Sequence, residues 1–259
     1  MGSLASPWPS KAPAVVRAED VQAGRTPTGA SERILLEPGS GGASLGRRLV
    51  DVPAGAQYRG TAGAAGELWF VIGGSGRLDI QGRPDLPAGP DQGLWVPPGV
   101  RYRLHAGGQA DLRIDAVTLP AATPGTGARA DHDRGRAGDP GVPLVRDLRD
   151  CAVETTGDRQ FRVLFGPSRG CAVATQFVGE IPPGRAPDHS HPYDEVVLVL
   201  EGEGVVHVGG ADHVISAGTC THLPPGQPHC LENTGATTMR VLGVFHPADS
   251  PAAKLDPRG

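Results

Sequence analysis

From about residue 31 the chain is built of apolar runs five to seven residues long, rich in Val and bounded by Gly and Pro, as in Leu68-Trp69-Phe70-Val71-Ile72 and Val196-Val197-Leu198-Val199-Leu200. Helical i, i+3, i+4 spacing is nearly absent, so the pattern predicts strands. Many short strands separated by Gly and Pro turns point to an all-β sandwich or barrel, in which closing the sheet removes edges that would pair with other chains.

The pattern also repeats. At a shift of about 128 residues, Glu37-Pro38-Gly39-Ser40-Gly41 through Gly55 lies over Gly166-Pro167-Ser168-Arg169-Gly170 through Gly184, Glu67 to Gly76 over Glu195 to Gly204, and Val96-Pro97-Pro98-Gly99 over Leu223-Pro224-Pro225-Gly226. Three blocks in the same order indicate duplication. The division expected is an arm over 1–30, a first domain over 31–120, a linker over 121–143 with no hydrophobic period, and a second domain over 144–250.

Composition narrows the possibilities. Of 259 residues, 39 are Gly and 26 Pro, which suits a turn-rich globular chain. A net charge of -4 gives no general attraction to nucleic acid or anionic membrane. No apolar run approaches the roughly 20 residues that span a bilayer, and the amino terminus lacks the apolar centre of a signal peptide, so a cytoplasmic protein is expected. Met1 to Ser6 fits the permissive myristoylation pattern, read as chance. Cys151, Cys171, Cys220 and Cys230 form no CxxC pair and read as reduced thiols, with two disulfides left open.

The candidate chemistry lies in the second copy. In Asp188-His189-Ser190-His191-Pro192-Tyr193-Asp194-Glu195, the residues His189, His191 and Glu195 are separated by even numbers, so on extended chain they share a face with Val197 and Val199. Downstream, Pro224-Pro225-Gly226 makes a rigid turn before His229. Three imidazoles and a carboxylate form a mixed donor set that suits Fe(II), Mn(II), Co(II), Ni(II), Cu(II) or Zn(II) better than a hard all-oxygen cation.

These segments resemble the two motifs of the cupin superfamily, G-x5-H-x-H-x3,4-E-x6-G and G-x5-P-x-G-x2-H-x3-N. The second fits throughout from Gly218 to Asn233; the first fits from His189 through Glu195 to Gly202, with Gly184 one residue too near His189. The resemblance covers roughly residues 33–246 and implies two tandem jelly-roll barrels, with His189, His191, Glu195 and His229 as metal ligands. In the first copy Thr61, Gly63 and Tyr102 stand in the histidine places and only Glu67 remains. The first barrel is therefore expected to be structural; an organic pocket lined by Trp69, Trp95 and Tyr102 is its functional alternative.

Around the site, His222 shares strand parity with Cys220 and, on an interior face, would serve with Glu195 as an acid, base or substrate donor; a packed or solvent-facing histidine is the plainer reading. His207 is expected on the exposed face and Cys230 as a buried thiol. Tyr193 and Asp194 are candidates for the pocket mouth, Arg162 and Gln176 for substrate contacts. The resemblance implies a metal-dependent enzyme, foremost a dioxygenase-like oxidoreductase acting on a chelating small or aromatic metabolite. A redox-neutral isomerase, lyase or polyketide-type cyclase is the first alternative, a non-catalytic metal-stabilised binding protein the second. No organic cofactor is evident, the partner expected is a small-molecule substrate, and association through sheet edges into a homodimer is compatible with the family.

Overall fold

The computed structural model describes residues 14–108, 110–121 and 143–253. The described chain opens with β1 (Ala14–Arg17). The first copy continues through β2 (Gly24–Arg25), β3 (Ser31–Leu36), β4 (Gly46–Val52), β5 (Gln57–Thr61), β6 (Glu67–Gly73), β7 (Gly76–Ile80), β8 (Arg83–Ala88), β9 (Gln92–Val96), β10 (Arg101–Ala106) and β11 (Leu112–Thr118). The second begins with β12 (Val145–Asp147) and runs through β13 (Glu154–Thr156), β14 (Arg159–Phe165), β15 (Thr175–Ile181), β16 (Gly184–Arg185), β17 (Asp194–Glu201), β18 (Glu203–Val208), β19 (Ala211–Ser216), β20 (Thr219–Leu223), β21 (His229–Asn233) and β22 (Met239–His246).

Each copy combines a seven-stranded sheet with a four-stranded one. The orders are β12-β9-β6-β11-β4-β3-β2 with β5-β10-β7-β8, and β1-β20-β17-β22-β15-β14-β13 with β16-β21-β18-β19. The two sets correspond strand for strand, so the repeat in sequence is a repeat in topology: two jelly-roll barrels in tandem. The leading strand of each copy crosses to the other barrel. β1 pairs antiparallel with β20, from Ala14 opposite His222 to Arg17 opposite Thr219, and β12 pairs with β9, from Val145 opposite Leu94 to Asp147 opposite Gln92. The stretch read as an arm thus carries strand from Ala14 onward; residues 1–13, with the acylation pattern, and residues 122–142 of the expected linker lie outside the described residues.

The exchange explains the apolar runs. In β17 every residue from Asp194 to Val199 is buried. Val197 and Val199 pack inside the second barrel with Val206, Val208, Leu223 and Met239, whereas Val196 and Leu198 join Leu242 and Val244 in a core continuous with the first barrel. A strand covered on both faces reads as an unbroken hydrophobic run. β18 has one face toward solvent and alternates instead: Gly204, Val206 and Val208 are buried, while Glu203, Val205 and His207 are not.

Polar groups pin the barrels together. Arg47 meets Asp115 through two hydrogen bonds, of 2.8 and 3.1 Å, and donates across the interface to the Leu242 carbonyl at 3.1 Å. Gln176, at the corresponding place in the second copy, donates to the Trp69 carbonyl at 3.3 Å. Asp194 accepts from the backbone N–H and the hydroxyl of Ser44, both at 2.6 Å. All four cysteines are buried free thiols, and no helix among the described residues is long and apolar enough to cross a membrane.

Asp115→Ala leaves the Arg47 cation buried without its partner and is expected to lower the unfolding free energy by about 3–5 kcal/mol, whereas Arg47→Met combined with Asp115→Leu recovers most of that loss. Urea denaturation of the two variants checks this; a single variant as stable as the parent would remove the pair from the interface account.

Candidate metal centre

Three histidines meet at one end of the second barrel. His229 opens β21, and His189 is bridged to it by two backbone hydrogen bonds, His189 N–H to the His229 carbonyl at 3.0 Å and His229 N–H to the His189 carbonyl at 2.9 Å. His191 is not on extended strand. It arrives through the irregular turn at Pro192, where the ring removes a backbone donor that a ladder would need, and the Gly226 N–H holds its carbonyl at 2.8 Å. The Pro-Pro-Gly turn therefore positions both His229 and His191.

The ring centroids lie 4.6 Å apart for His189 and His229, 4.8 Å for His189 and His191, and 5.2 Å for His191 and His229. Each Nδ1 meets a backbone carbonyl: Pro187 at 3.1 Å for His189, Gln227 at 2.9 Å for His229, and Ala253 for His191. A carbonyl can only accept, so each Nδ1 carries a proton, and in the neutral ring Nε2 then holds the lone pair. One ligand atom from each ring lies within 4.8 Å of the others, a group that could hold a metal ion. Burial, offset in part by the Gln227 carbonyl and reinforced by His189, His191 and Arg159, pushes His229 down to about 3, so its imidazole is neutral near pH 7.

Glu195 lies beside this group rather than within it, with Oε2 3.7 Å from His191 Nε2. Burial pushes its carboxyl up to about 8; Arg47 opposes the shift and Asp194 adds to it. A buried carboxyl with no cation in bonding distance behaves in this way, and a cation at the histidines would reverse the shift. Glu195 shares the barrel interior with Val197, as strand parity requires.

His191 is held on two sides. Its ring stacks on Tyr193, centroids 4.7 Å apart and planes 11° apart, and Tyr193 stacks on Phe245 at 3.9 Å. The carboxy-terminal stretch wraps this stack: Tyr193 donates to the Ser250 carbonyl at 3.3 Å, Thr175 to the Asp249 carbonyl at 2.9 Å, and His191 to that of Ala253. These backbone acceptors have no sequence signature, and sequence reasoning missed them.

His222 does not join the site. Opposite residues on paired strands share a face, and His222 lies opposite Val196 while Leu223 lies opposite Glu195. His222 therefore points to the interface, where Nε2 meets Asp194 at 2.6 Å and Asp194 meets Ser44. Its parity with Cys220 was read correctly, but the face that parity selects is the inter-barrel one. Asp194 belongs to the same interface and not to a pocket mouth. Arg162 pairs with Glu180 at 2.6 Å and Gln176 faces the first barrel, so neither reaches the cavity. Cys230 is buried with its thiol on the Ala186 carbonyl at 2.8 Å. His207 stands on the outer sheet between Asp212, at 2.7 Å, and Glu232, at 2.9 Å.

In the first barrel a fixed cation occupies the equivalent region. Glu67 accepts from Arg48 at 2.6 Å and from the Trp69 indole N–H at 2.7 Å, and Arg48 also reaches Thr118 at 3.0 Å and Tyr58 at 3.3 Å. Tyr58, Trp69 and Tyr102 pack on one another with centroids 4.7 to 6.1 Å apart. Two of the three residues read as lining a pocket, Trp69 and Tyr102, thus pack on each other and on Tyr58. In the second copy Phe177 replaces Arg48 and lies over Gly243, where a Cβ would meet its ring at 2.1 Å. Behind the three histidines opens a cavity of about 250 Å³ whose walls include Phe161, Phe177, Val197 and Leu223.

Residues 177–245 match the family model described as Cupin domain. An oxalate-binding protein of Thermotoga maritima is 39% identical over 68 residues, 26% of this chain and 56% of that protein. An uncharacterized protein of Methanocaldococcus jannaschii is 28% identical over 60 residues, 23% of this chain and 48% of that one. The chain thus spans about half the length of these curated relatives. A mutant of Bacillus subtilis oxalate decarboxylase superposes with a TM-score of 0.73 at 15% identity, covering 99% of this chain and 81% of that one. Another structure of that enzyme, concerned with its Mn(II) centers, gives 0.72 at 14% identity over the same shares. At such identity the likeness is one of fold.

His222→Gln is expected to lower the unfolding free energy by roughly 1–3 kcal/mol, the cost of disturbing a buried charge-assisted hydrogen bond, and to leave Co(II) uptake unchanged. Loss of uptake in a folded His222→Gln variant would return His222 to the site.

Proposed function

We propose that the chain is a two-barrel member of the cupin superfamily and that its second barrel is a metal-dependent catalytic centre for a small organic substrate, with the first barrel structural. The observation that carries this reading is the convergence of three imidazoles, each oriented by a carbonyl on Nδ1, at the end of a cavity of about 250 Å³. His189, His191 and His229 would hold the ion and Glu195 would be its fourth ligand. The donor set fits Fe(II), Mn(II), Co(II), Ni(II), Cu(II) or Zn(II). When bound, such an ion polarises substrate oxygens and, if redox-active, exchanges electrons with them and with dioxygen.

The chain's own residues do the rest. Tyr193, Phe245 and the carbonyls of Ser250 and Ala253 fix the plane of His191, so the donors are set before substrate enters. Phe161, Phe177, Val197 and Leu223 exclude water and favour an apolar or aromatic body in one orientation. These walls support the reading of a dioxygenase-like oxidoreductase on an aromatic or apolar chelating metabolite. The naming of the fold relatives as decarboxylases favours a second reading, a redox-neutral lyase.

Protein purified without added metal is expected to carry about one transition ion per chain, by elemental analysis, and His229→Ala to lose it without unfolding. Oxygen uptake with catechols, diketones and hydroxy acids separates the chemistries: uptake that depends on His229 supports the oxidoreductase, while stoichiometric Zn(II) and no uptake with any of them would overturn it in favour of the lyase. A chain ended after Asp249 loses the carbonyl that orients His191 and is expected to bind the ion about 10–100-fold more weakly in a competition titration.

A further inference from the structure

Arg159 opens β14 at the end of the β13 hairpin and lines the same cavity as His189, His191 and His229. It is half-buried, yet it makes no ion pair among the described residues; its one hydrogen bond runs from Nη2 to the Leu231 carbonyl. Three residues on, Arg162 has Glu180 at 2.6 Å, and on β22 of the same sheet Arg240 has Asp91 at 2.7 Å and Glu201 at 2.8 Å. Burial pulls the Arg159 guanidinium below the ordinary arginine value, and Cys230 and Asp158 offset this only in part. Its positive charge is also felt at His229. A guanidinium has five N–H donors, and one carbonyl leaves most of them for another acceptor.

A half-buried cation that no carboxylate among the described residues approaches closely enough to pair with is costly to keep unless something else supplies the anion, even though Asp158, Glu180 and Glu195 lie elsewhere on the cavity lining. We propose that Arg159 is the recognition group for a carboxylate on the substrate, so that the substrate is an apolar or aromatic acid whose anionic end pairs with Arg159 while its other end faces the three imidazoles. The part of this concerning the imidazoles rests on the metal-centre reading; the part concerning Arg159 does not need a metal. Arg159 then selects among substrates and takes no part in bond making. A two-pronged guanidinium–carboxylate contact also sets the direction in which the acid enters.

The test separates the two parts. In metal-free protein, 3-phenylpropionate and the neutral 3-phenylpropan-1-ol are titrated by ligand-observed NMR. The acid is expected to bind about tenfold or more tightly than the alcohol to the parent chain, about equally to Arg159→Gln, and with partial recovery in Arg159→Lys, which keeps the charge and loses the fork. Unchanged alcohol binding shows that the cavity of Arg159→Gln is intact. In Mn(II)-loaded protein, catechol and 3,4-dihydroxyphenylpropionate are compared in the same way, and the preference for the acid is again expected to vanish in Arg159→Gln. Should catechol fail to bind while the metal-free preference persists, the metal-centre reading falls and the carboxylate site stands. A parent chain that binds acid and alcohol alike, or an Arg159→Gln variant that keeps the preference, overturns the proposal.

Discussion

A strand buried on both faces must send neighbouring side chains into two different interiors, and the arrangement of this protein follows from that requirement at β17. Asp194 and Glu195 are adjacent in sequence but serve separate places: Asp194 joins Ser44 and His222 in the seam between barrels, and Glu195 stands beside the histidines inside the second barrel. The same division sorts Val196 and Leu198 from Val197 and Val199. The seam therefore sets the position of the carboxyl next to the three imidazoles, and a shift of one residue in register would exchange the two roles.

The two barrels show two solutions to one problem. A carboxyl at the corresponding position, Glu67 or Glu195, is buried in both copies and needs a cation. In the first copy the chain supplies Arg48 from β4, which lies across β11 from Glu67, and packs Tyr58, Trp69 and Tyr102 on one another beside the pair. In the second, Phe177 takes the place of that arginine, burial pushes the carboxyl up to about 8, and the imidazoles gather beside it. The internal cation stands in the copy without the histidines, and the cavity opens in the copy that has them.

Most of the fold and the three-histidine group were legible in the sequence because they rest on spacing. Duplicated blocks give two barrels, valine-rich runs give strands, and the positions of His189, His191 and His229 around a Pro-Pro-Gly turn give the cluster. What was not legible depends on facts that spacing does not carry. Parity placed His222 with Cys220, but parity cannot say which of two buried faces is the cavity. Arg159 belongs to no motif, and its interest arises only from its having no ion pair among the described residues, which is a fact of three dimensions. The acceptor for His191 is a backbone carbonyl at Ala253, and every residue has one. The crossing strands are three and four residues long, too short for a periodic signal.

The crossing of β1 also bears on the order in which the molecule can be assembled. Ala14 to Arg17 leave the ribosome well before their hydrogen-bonding partners, Thr219 to His222. During synthesis β1 must wait, with its donors and acceptors turned to water, while the whole first copy and most of the second emerge, whereas β12 finds β9 already made. The earlier barrel can thus complete its sheet first, and the later one closes only when β1 and β20 are brought side by side.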